Sequence, residues 1–334
     1  MDYQSLGASG LKVSRICLGS MMFAYRTDEP VADRIMGMAR DAGVNFLDTA
    51  DVYANGKTEE MCGRLIKADR NNWVVATKVG NAMGKGPMEG GHSRRWLMRE
   101  IDQSLARLQT DHIDVWYLHV DSPDTPLEET LGAIADIIRA GKVRYWGVSN
   151  FRAWRLAEAC HVADKLGLAR PVASQPLYNA VNRTIEVEHL PACQFYGVGV
   201  VPYSPVARGV LTGKYGVDGS VPADSRAAAK DQRMMETEFR PESIAIAQKF
   251  VEHARKRNIS PTQLATLWVL RNKLISSVIA GPRTVEQWQE YLDALQHTIG
   301  PEDEAAVDAL VTPGHQSTHG FNDIRYPVTG RVLA

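Results

Sequence analysis

The chain has 334 residues, 44% of them hydrophobic, with 38 basic and 39 acidic side chains and a formal net charge of −1. That length suits two ordinary domains or one α/β barrel, and the balanced charge removes any electrostatic case for a nucleic acid or an anionic membrane as partner. Cys17, Cys62, Cys160 and Cys193 are too dispersed for a zinc motif and too few for a disulfide framework, so no metal site is expected. No apolar run approaches membrane-spanning length, and residues 1–10 lack the basic and apolar segments of a secretory signal. A cytoplasmic protein with reduced thiols is therefore expected.

Residues 3–16 read as a short hairpin turning at Ser9-Gly10, within an N-terminal segment 1–17 that stands outside the main repeat. ICLG is the first strand of that repeat, followed by a helix with Val31, Ile35, Met38 and Ala42 on one face and Gly43 as its stop. VNFLD is a second strand, with a short helix over 58–66, and WVVATK a third. Ser93 caps a helix carrying Leu97, Ile101, Leu105 and Leu108 inward. IDVWYLH is a fourth strand, and Thr125-Pro126-Leu127-Glu128 reads as a capping box opening a helix with Leu127, Leu131, Ile134 and Ile138. RYWGVS is a fifth strand, leading into a helix with Leu156, Ala159, Ala163 and Leu166. VASQPLY and VGVVPY are the sixth and seventh, separated by a helix that Pro191 interrupts. The pattern then loosens into a glycine-rich loop over 204–240. Two helices follow, near 243–257 and after a capping box at Ser260-Pro261-Thr262-Gln263; SSVIAG is the eighth strand and Thr284 opens the last helix of the repeat.

Eight apolar strands alternating with amphipathic helices predict a (β/α)8 barrel in a single domain over residues 1–334. The rival doubly wound sheet lacks its signature, because no GxGxxG follows the first strand. Gly56-Lys57-Thr58 has the tail of a phosphate loop, but Asp51 stands where its first glycine belongs.

The barrel makes a spatial prediction. Asp48 ends the second strand, Lys78 the third and His119 the fourth, so three polar groups gather at the carboxyl ends of adjacent strands, the rim where barrels place their chemistry. Tyr53 hangs on the loop leaving the first of them. Taken singly, each has an ordinary explanation as a solvated strand end, a turn cap or a core histidine; their alignment on neighbouring strands favours the chemical one. A free tyrosine has a pKa of about 10, and a cation about 4 Å away at an effective dielectric near 20 favours its anion by ~4 kcal/mol, or about three pKa units.

The order of LGASGLKVSRICLGSM, AGVNFLDTADVYANGKTEE, ATKVG, IDVWYLH, GKVRYWGVSN, SQPLYN, VVPYSPVARGVLTGKY and VIAGPRTVEQWQE resembles the aldo-keto reductase superfamily over residues 3–295. Within it, the likeness is to the branch that holds bacterial general reductases and potassium-channel β-subunits. The resemblance implies a barrel that reduces aldehydes and ketones reversibly with NADPH, with Asp48, Tyr53, Lys78 and His119 as its catalytic four. It also implies that Gly19, Met21, Ser149, Asn150 and Gln175 approach the nicotinamide, on which Tyr203 stacks. The loop 204–240 covers the cofactor by the same likeness. Ser204, Pro205, Val206, Arg208, Leu211 and Lys214 straddle the pyrophosphate, with Gly281, Arg283, Gln287 and Glu290 at the adenosine end. Arg283 suits the 2′-phosphate of NADP, since a guanidinium chelates phosphate well. Where the family continues Gln-x-x-Glu-Asn, this chain has Tyr291 after Glu290, and Thr284 with Gln287 also spells a capping box.

Met22 and Phe23, with Tyr53 and His119, are the candidate substrate contacts, for a small carbonyl or alcohol. Residues 80–92 form a second glycine-rich loop that carries no phosphate signal. The C-terminal tail, 312–334, is expected either as a loop over the barrel mouth that shapes the substrate pocket or as a tail packed elsewhere. A homo-oligomer is compatible with the branch, and the same resemblance carries an alternative to the enzyme: a cofactor-sensing partner subunit with slow turnover.

Overall fold

Strands buried on both faces need helices to cover them, and helices with one apolar stripe need a sheet to lie on. The computed structural model describes residues 1–329. An antiparallel hairpin of β1 (Tyr3–Ser5) and β2 (Lys12–Ser14) precedes eight strands of one parallel sheet. These are β3 (Ile16–Gly19), β4 (Phe46–Asp48), β5 (Val74–Val79), β6 (Ile113–Leu118), β7 (Val143–Ser149), β8 (Ala173–Gln175), β9 (Gly199–Val200) and β10 (Val278–Ala280). Pairing runs in chain order from β3 to β9, and β10 returns beside β3. The seam closes where Ser276 N donates to Val200 O at 2.9 Å and Ile279 N to Pro202 O at 3.0 Å. All eight strands belong to one compact unit, Met1–Leu177, Glu188–Tyr203 and Asn272–Leu292, which is the predicted (β/α)8 barrel.

Helices α1 (Glu29–Asp41), α2 (Lys57–Ile66), α3 (Arg94–Leu108), α4 (Leu127–Arg139), α5 (Ala153–Leu166) and α6 (His189–Tyr196) each follow one strand from β3 to β8. Ser93 caps α3 as predicted, its hydroxyl accepting from Trp96 N at 3.3 Å. Four expectations are corrected. The buried stripe of α1 is Ala32, Ile35, Met36 and Ala39, so the helix is rotated from the predicted face, with Val31 and Met38 on its flanks. The Thr125 box does not form, because Thr125 N is used by Ser122 O in a turn and Pro126 itself becomes the cap, with no side chain to offer. Leu166, at the last turn of α5, is exposed, and Ile137 rather than Ile138 is buried on α4.

Cys17, Phe46, Val74, Ala76, Val115, Tyr117, Ala173, Val201 and Ile279 fill the barrel interior. Leu6 and Val13 of the hairpin join them from the end where the strands begin. Ala8 N donates to Gly197 O at 2.8 Å, and a Cβ on Gly7, whose φ is +59°, would lie 2.5 Å from Val172 O. Gly147 on β7 leaves room for the Tyr117 ring, which a Cβ would meet at 2.6 Å.

A second compact unit comprises Tyr178–Val187, Ser204–Arg271 and the chain from Asp293 on. It carries α7 (Gln232–Thr237), α8 (Pro241–Lys256) and α9 (Pro261–Arg271); α10 (Val285–Ala294) starts in the barrel unit, and α11 (Pro301–Leu310) returns to the second. The Ser260 box forms in both directions, at 2.8 and 3.1 Å. The 204–240 segment is more ordered than its glycines suggest, with a 3-10 turn over Ala207–Thr212 ahead of α7. The described part of the tail is tied to its own unit: Arg183 N donates to His315 O at 2.9 Å, and Arg233 pairs with Asp323. Residues 330–334 of the predicted tail lie outside the described residues.

Candidate active site

Residues at the ends of parallel strands lose their next ladder partner, and their side chains are released onto the rim. Asp48 closes β4, Lys78 is the penultimate residue of β5, and His119 follows β6. Lys78 is completely buried, and all three N–H donors of its ammonium are engaged. Nζ donates to Asp48 Oδ1 at 2.6 Å, to Thr49 O at 2.6 Å and to the Tyr53 hydroxyl at 3.3 Å. The other Asp48 oxygen accepts from Gln175 Nε2 at 2.8 Å. Burial works against the Lys78 charge, but Asp48 and Tyr53 outweigh it and hold the ammonium above the ordinary lysine range. For Asp48 burial dominates and raises the carboxyl, with Lys78 and Gln175 pulling the other way.

Tyr53 is half-buried in the turn leaving β4, with Lys78 Nζ 4.9 Å from its ring centroid and the His119 ring edge-on at 6.0 Å. His119 stays neutral at physiological pH, because burial, the Lys78 charge and His92 all depress its pKa well below the usual histidine value. Its Nδ1 is buried without a hydrogen-bond partner among the described residues, while the residue as a whole keeps some exposure. The four residues the sequence placed on separate strands and loops thus converge, and the key pair, Lys78 and Tyr53, is in hydrogen-bond contact.

The neighbouring strand ends supply amides. Asn150, with φ of +59°, turns back so that Nδ2 donates to His119 O at 2.9 Å and to Ser149 Oγ at 3.0 Å. Tyr203 donates to Asn150 Oδ1 at 2.8 Å, and Ser149 to Gln175 O at 2.8 Å. Tyr203, Asn150 and the His119 main chain therefore form one hydrogen-bonded chain along the rim. At the seam, Gly19 lies so close to β10 that a Cβ would meet Ile279 Cγ2 at 2.6 Å, and Gly281 faces the Gly19 carbonyl. Gln287 Oε1 accepts from Arg283 N at 2.9 Å, and Thr284 Oγ1 from Gln287 N at 3.3 Å, so Gln287 serves as a helix cap here. Thr27 Oγ1 donates to Arg283 O at 3.0 Å. Glu290 lies on α10, Met21 is half-buried, Met22 and Phe23 are buried, and Tyr25 beside them is exposed.

In the second unit Ser204, Ala207, Arg208 and Gly209 all take positive φ, and Ala207 N and Gly209 N donate to Ser204 O at 2.9 Å and to Val206 O at 2.8 Å. Arg208 Nε is buried there with no hydrogen-bond partner. Pro205, Val206, Leu211 and Lys214 belong to the same segment, with Leu211 buried.

Sequence reasoning missed three features: the Thr49 carbonyl as a second acceptor for Lys78, Gln175 as the residue that fixes Asp48, and the buried ionic group beneath Tyr53. The last left one trace in the sequence, since Glu59 and Glu100 fall on the apolar faces of their helices.

A model of the aldo/keto reductase family matches residues 15–312. A probable voltage-gated potassium channel subunit beta of Oryza sativa subsp. japonica is 36% identical over 329 residues, 96% of this chain and 100% of that protein. One of the same description from Arabidopsis thaliana is 38% identical over 301 residues, 88% of this chain and 91% of that protein. The oxidoreductase YrpG of Bacillus subtilis (strain 168), itself uncharacterized, is 37% identical over 314 residues, 90% and 93% of the two chains. With a closed barrel, a buried lysine against a rim tyrosine, and relatives alike over nearly their whole length, the chain belongs to the aldo/keto reductase family.

Proposed function

We propose that the protein is an NADPH-dependent reductase of aldehydes or ketones, working reversibly, with Tyr53 as the general acid. The observation that carries this reading is the 3.3 Å contact between the Lys78 ammonium and the Tyr53 hydroxyl, which is otherwise a poor acid at neutral pH. Because Tyr53 accepts the hydrogen bond from Lys78, its own O–H is the one to be donated to a carbonyl oxygen. Asp48 keeps the lysine charged and in place, and neutral His119 is suited to hold that oxygen by a hydrogen bond rather than by a charge. The bound nicotinamide would supply hydride to the carbonyl carbon. Ser149, Asn150, Gln175 and Tyr203 would seat it, and Arg283 would hold the 2′-phosphate.

Tyr53→Phe tests the reading. Turnover of NADPH against a panel of aldehydes and ketones should fall by about 100-fold or more, the scale of a lost general acid, while tryptophan quenching by the cofactor persists. Retained turnover in the folded variant would sink the assignment.

A second reading rests on the relatives from rice and Arabidopsis, whose descriptions are those of channel subunits. On that reading the chain senses cofactor as a partner subunit, and tight NADPH binding would come with no turnover on any carbonyl in the panel.

A further inference from the structure

Tyr53 sits on a costly piece of main chain. Ala54, Asn55 and Gly56 take φ of 46°, 55° and 88° in succession, a region that non-glycine residues enter only at a cost. Such a turn persists only where its surroundings hold it. What lies beneath it is Arg107 of α3: a Cβ on Gly56 would be 2.8 Å from Arg107 Cδ and 3.3 Å from Nε, so the backbone rests directly on the guanidinium stem.

Arg107 is itself fixed. Its Nε donates to Glu59 Oε2 at 2.6 Å, and its Nη2 to Glu100 and, at 3.0 Å, to Ser104 Oγ. Glu59 is fully buried in the first turn of α2, three residues past Gly56, and its other oxygen accepts from Thr77 Oγ1 at 2.6 Å. Thr77 is the residue before Lys78 on β5. Successive strand side chains point to opposite faces, so Lys78 reaches into the barrel toward Tyr53 while Thr77 reaches outward to Glu59. Asp51, on the same loop, is buried with Oδ1 on Val52 N at 2.6 Å and Oδ2 without a partner. Burial first, then Glu59 and Glu100, push its carboxyl well up, against the opposing Val52 N–H and Arg107, and the one guanidinium faces both Glu59 and Glu100.

We propose that Glu59 is a positioning residue for Tyr53: through Thr77 on one side and Arg107 on the other it ties the strand bearing Lys78 to the turn bearing Tyr53, and so holds phenol and ammonium together. The proposal rests on Tyr53 being the working acid. Lys78, its partner Asp48 and neutral His119 are the groups set around the phenol, and the tie acts on the first of these distances.

The test compares Thr77→Val, which cuts the tie with almost no change of volume, with Glu59→Gln, each in the full chain and each paired with Tyr53→Phe. The ultraviolet difference titration between a variant and its Tyr53→Phe partner reads the ionisation of Tyr53 alone and needs neither cofactor nor turnover. Loosening the contact by about 1 Å should move that titration about one pH unit upward and lower kcat about tenfold, with cofactor quenching unchanged. Folded variants that melt earlier but titrate Tyr53 and turn over as the parent does would overturn the proposal. If Glu59→Gln does not fold, Thr77→Val decides alone. Should Tyr53→Phe itself remain active, the acid assignment fails, while the Tyr53 titration still judges the tie.

Discussion

Replacing Lys78 by methionine removes one charge from its buried pair with Asp48. At the observed 3.3 Å, and with an effective dielectric near 20, the ammonium favours the Tyr53 anion by about 5 kcal/mol. Asp48, at 2.6 Å on the other side, dilutes that figure, so a fall in kcat of about 100-fold or more is expected rather than the full equivalent. The same change strands Asp48 in the barrel, and breaking a buried pair in this way costs roughly 3–5 kcal/mol of stability. Activity alone therefore cannot separate chemistry from folding, but the pair can. In Asp48→Asn/Lys78→Met no charge is left unpaired, and the oxygen of the introduced amide can still accept from Gln175, so most of the stability should return. Turnover should not. Urea unfolding and NADPH oxidation on the single and double variants supply both readouts. Recovery of turnover along with stability in the double variant would refute the view that Lys78 acts by its charge on Tyr53.

Two further outcomes follow from the barrel wall. His189 is buried against Ser174 Oγ at 2.8 Å, and burial pulls its pKa down to about 4. Since the folded value lies below the unfolded one of about 6.5, its contribution is present above that pH and is lost as pH falls toward 4. In His189→Gln the change in unfolding free energy between pH 7 and pH 5 should differ from that of the parent by about 2 kcal/mol, and identical profiles would refute the buried neutral form. Gly147→Ala places a Cβ 2.6 Å from the Tyr117 ring and 2.7 Å from Ala173 O, one of them backbone that cannot yield. Thermal denaturation should register a loss of about 1–3 kcal/mol, and an unchanged melting temperature would mean that the interior is looser than its contacts imply.

The strands were legible because burial on both faces writes them as plain apolar runs, and their polar last residues mark the rim. ICLG, IDVWYL and VASQ need no tertiary information to be recognised. Helix faces were less so. On α1 the apolar residues Val31, Ala32, Ile35, Met36, Met38 and Ala39 spread over nearly half the circumference, so periodicity alone cannot say which part meets the sheet. Pro126 shows a different limit. A capping box is a statement about side-chain oxygens, and the helix began one residue later than the hydroxyl required.

Gln287 carries the same lesson into the cofactor reading. Its sequence position fits an adenosine contact and a helix cap equally well, and in the structure its oxygen is already committed to Arg283 N at 2.9 Å. That bond pins the main chain of the residue proposed to meet the 2′-phosphate, as Thr27 does from the carbonyl side at 3.0 Å. Preference for NADP over NAD then depends on how well Arg283 is presented as much as on its charge. A guanidinium on a fixed backbone loses less freedom on chelating a phosphate than one on a mobile loop, so on the proposed role of Arg283 the two contacts would act on specificity without touching the ligand.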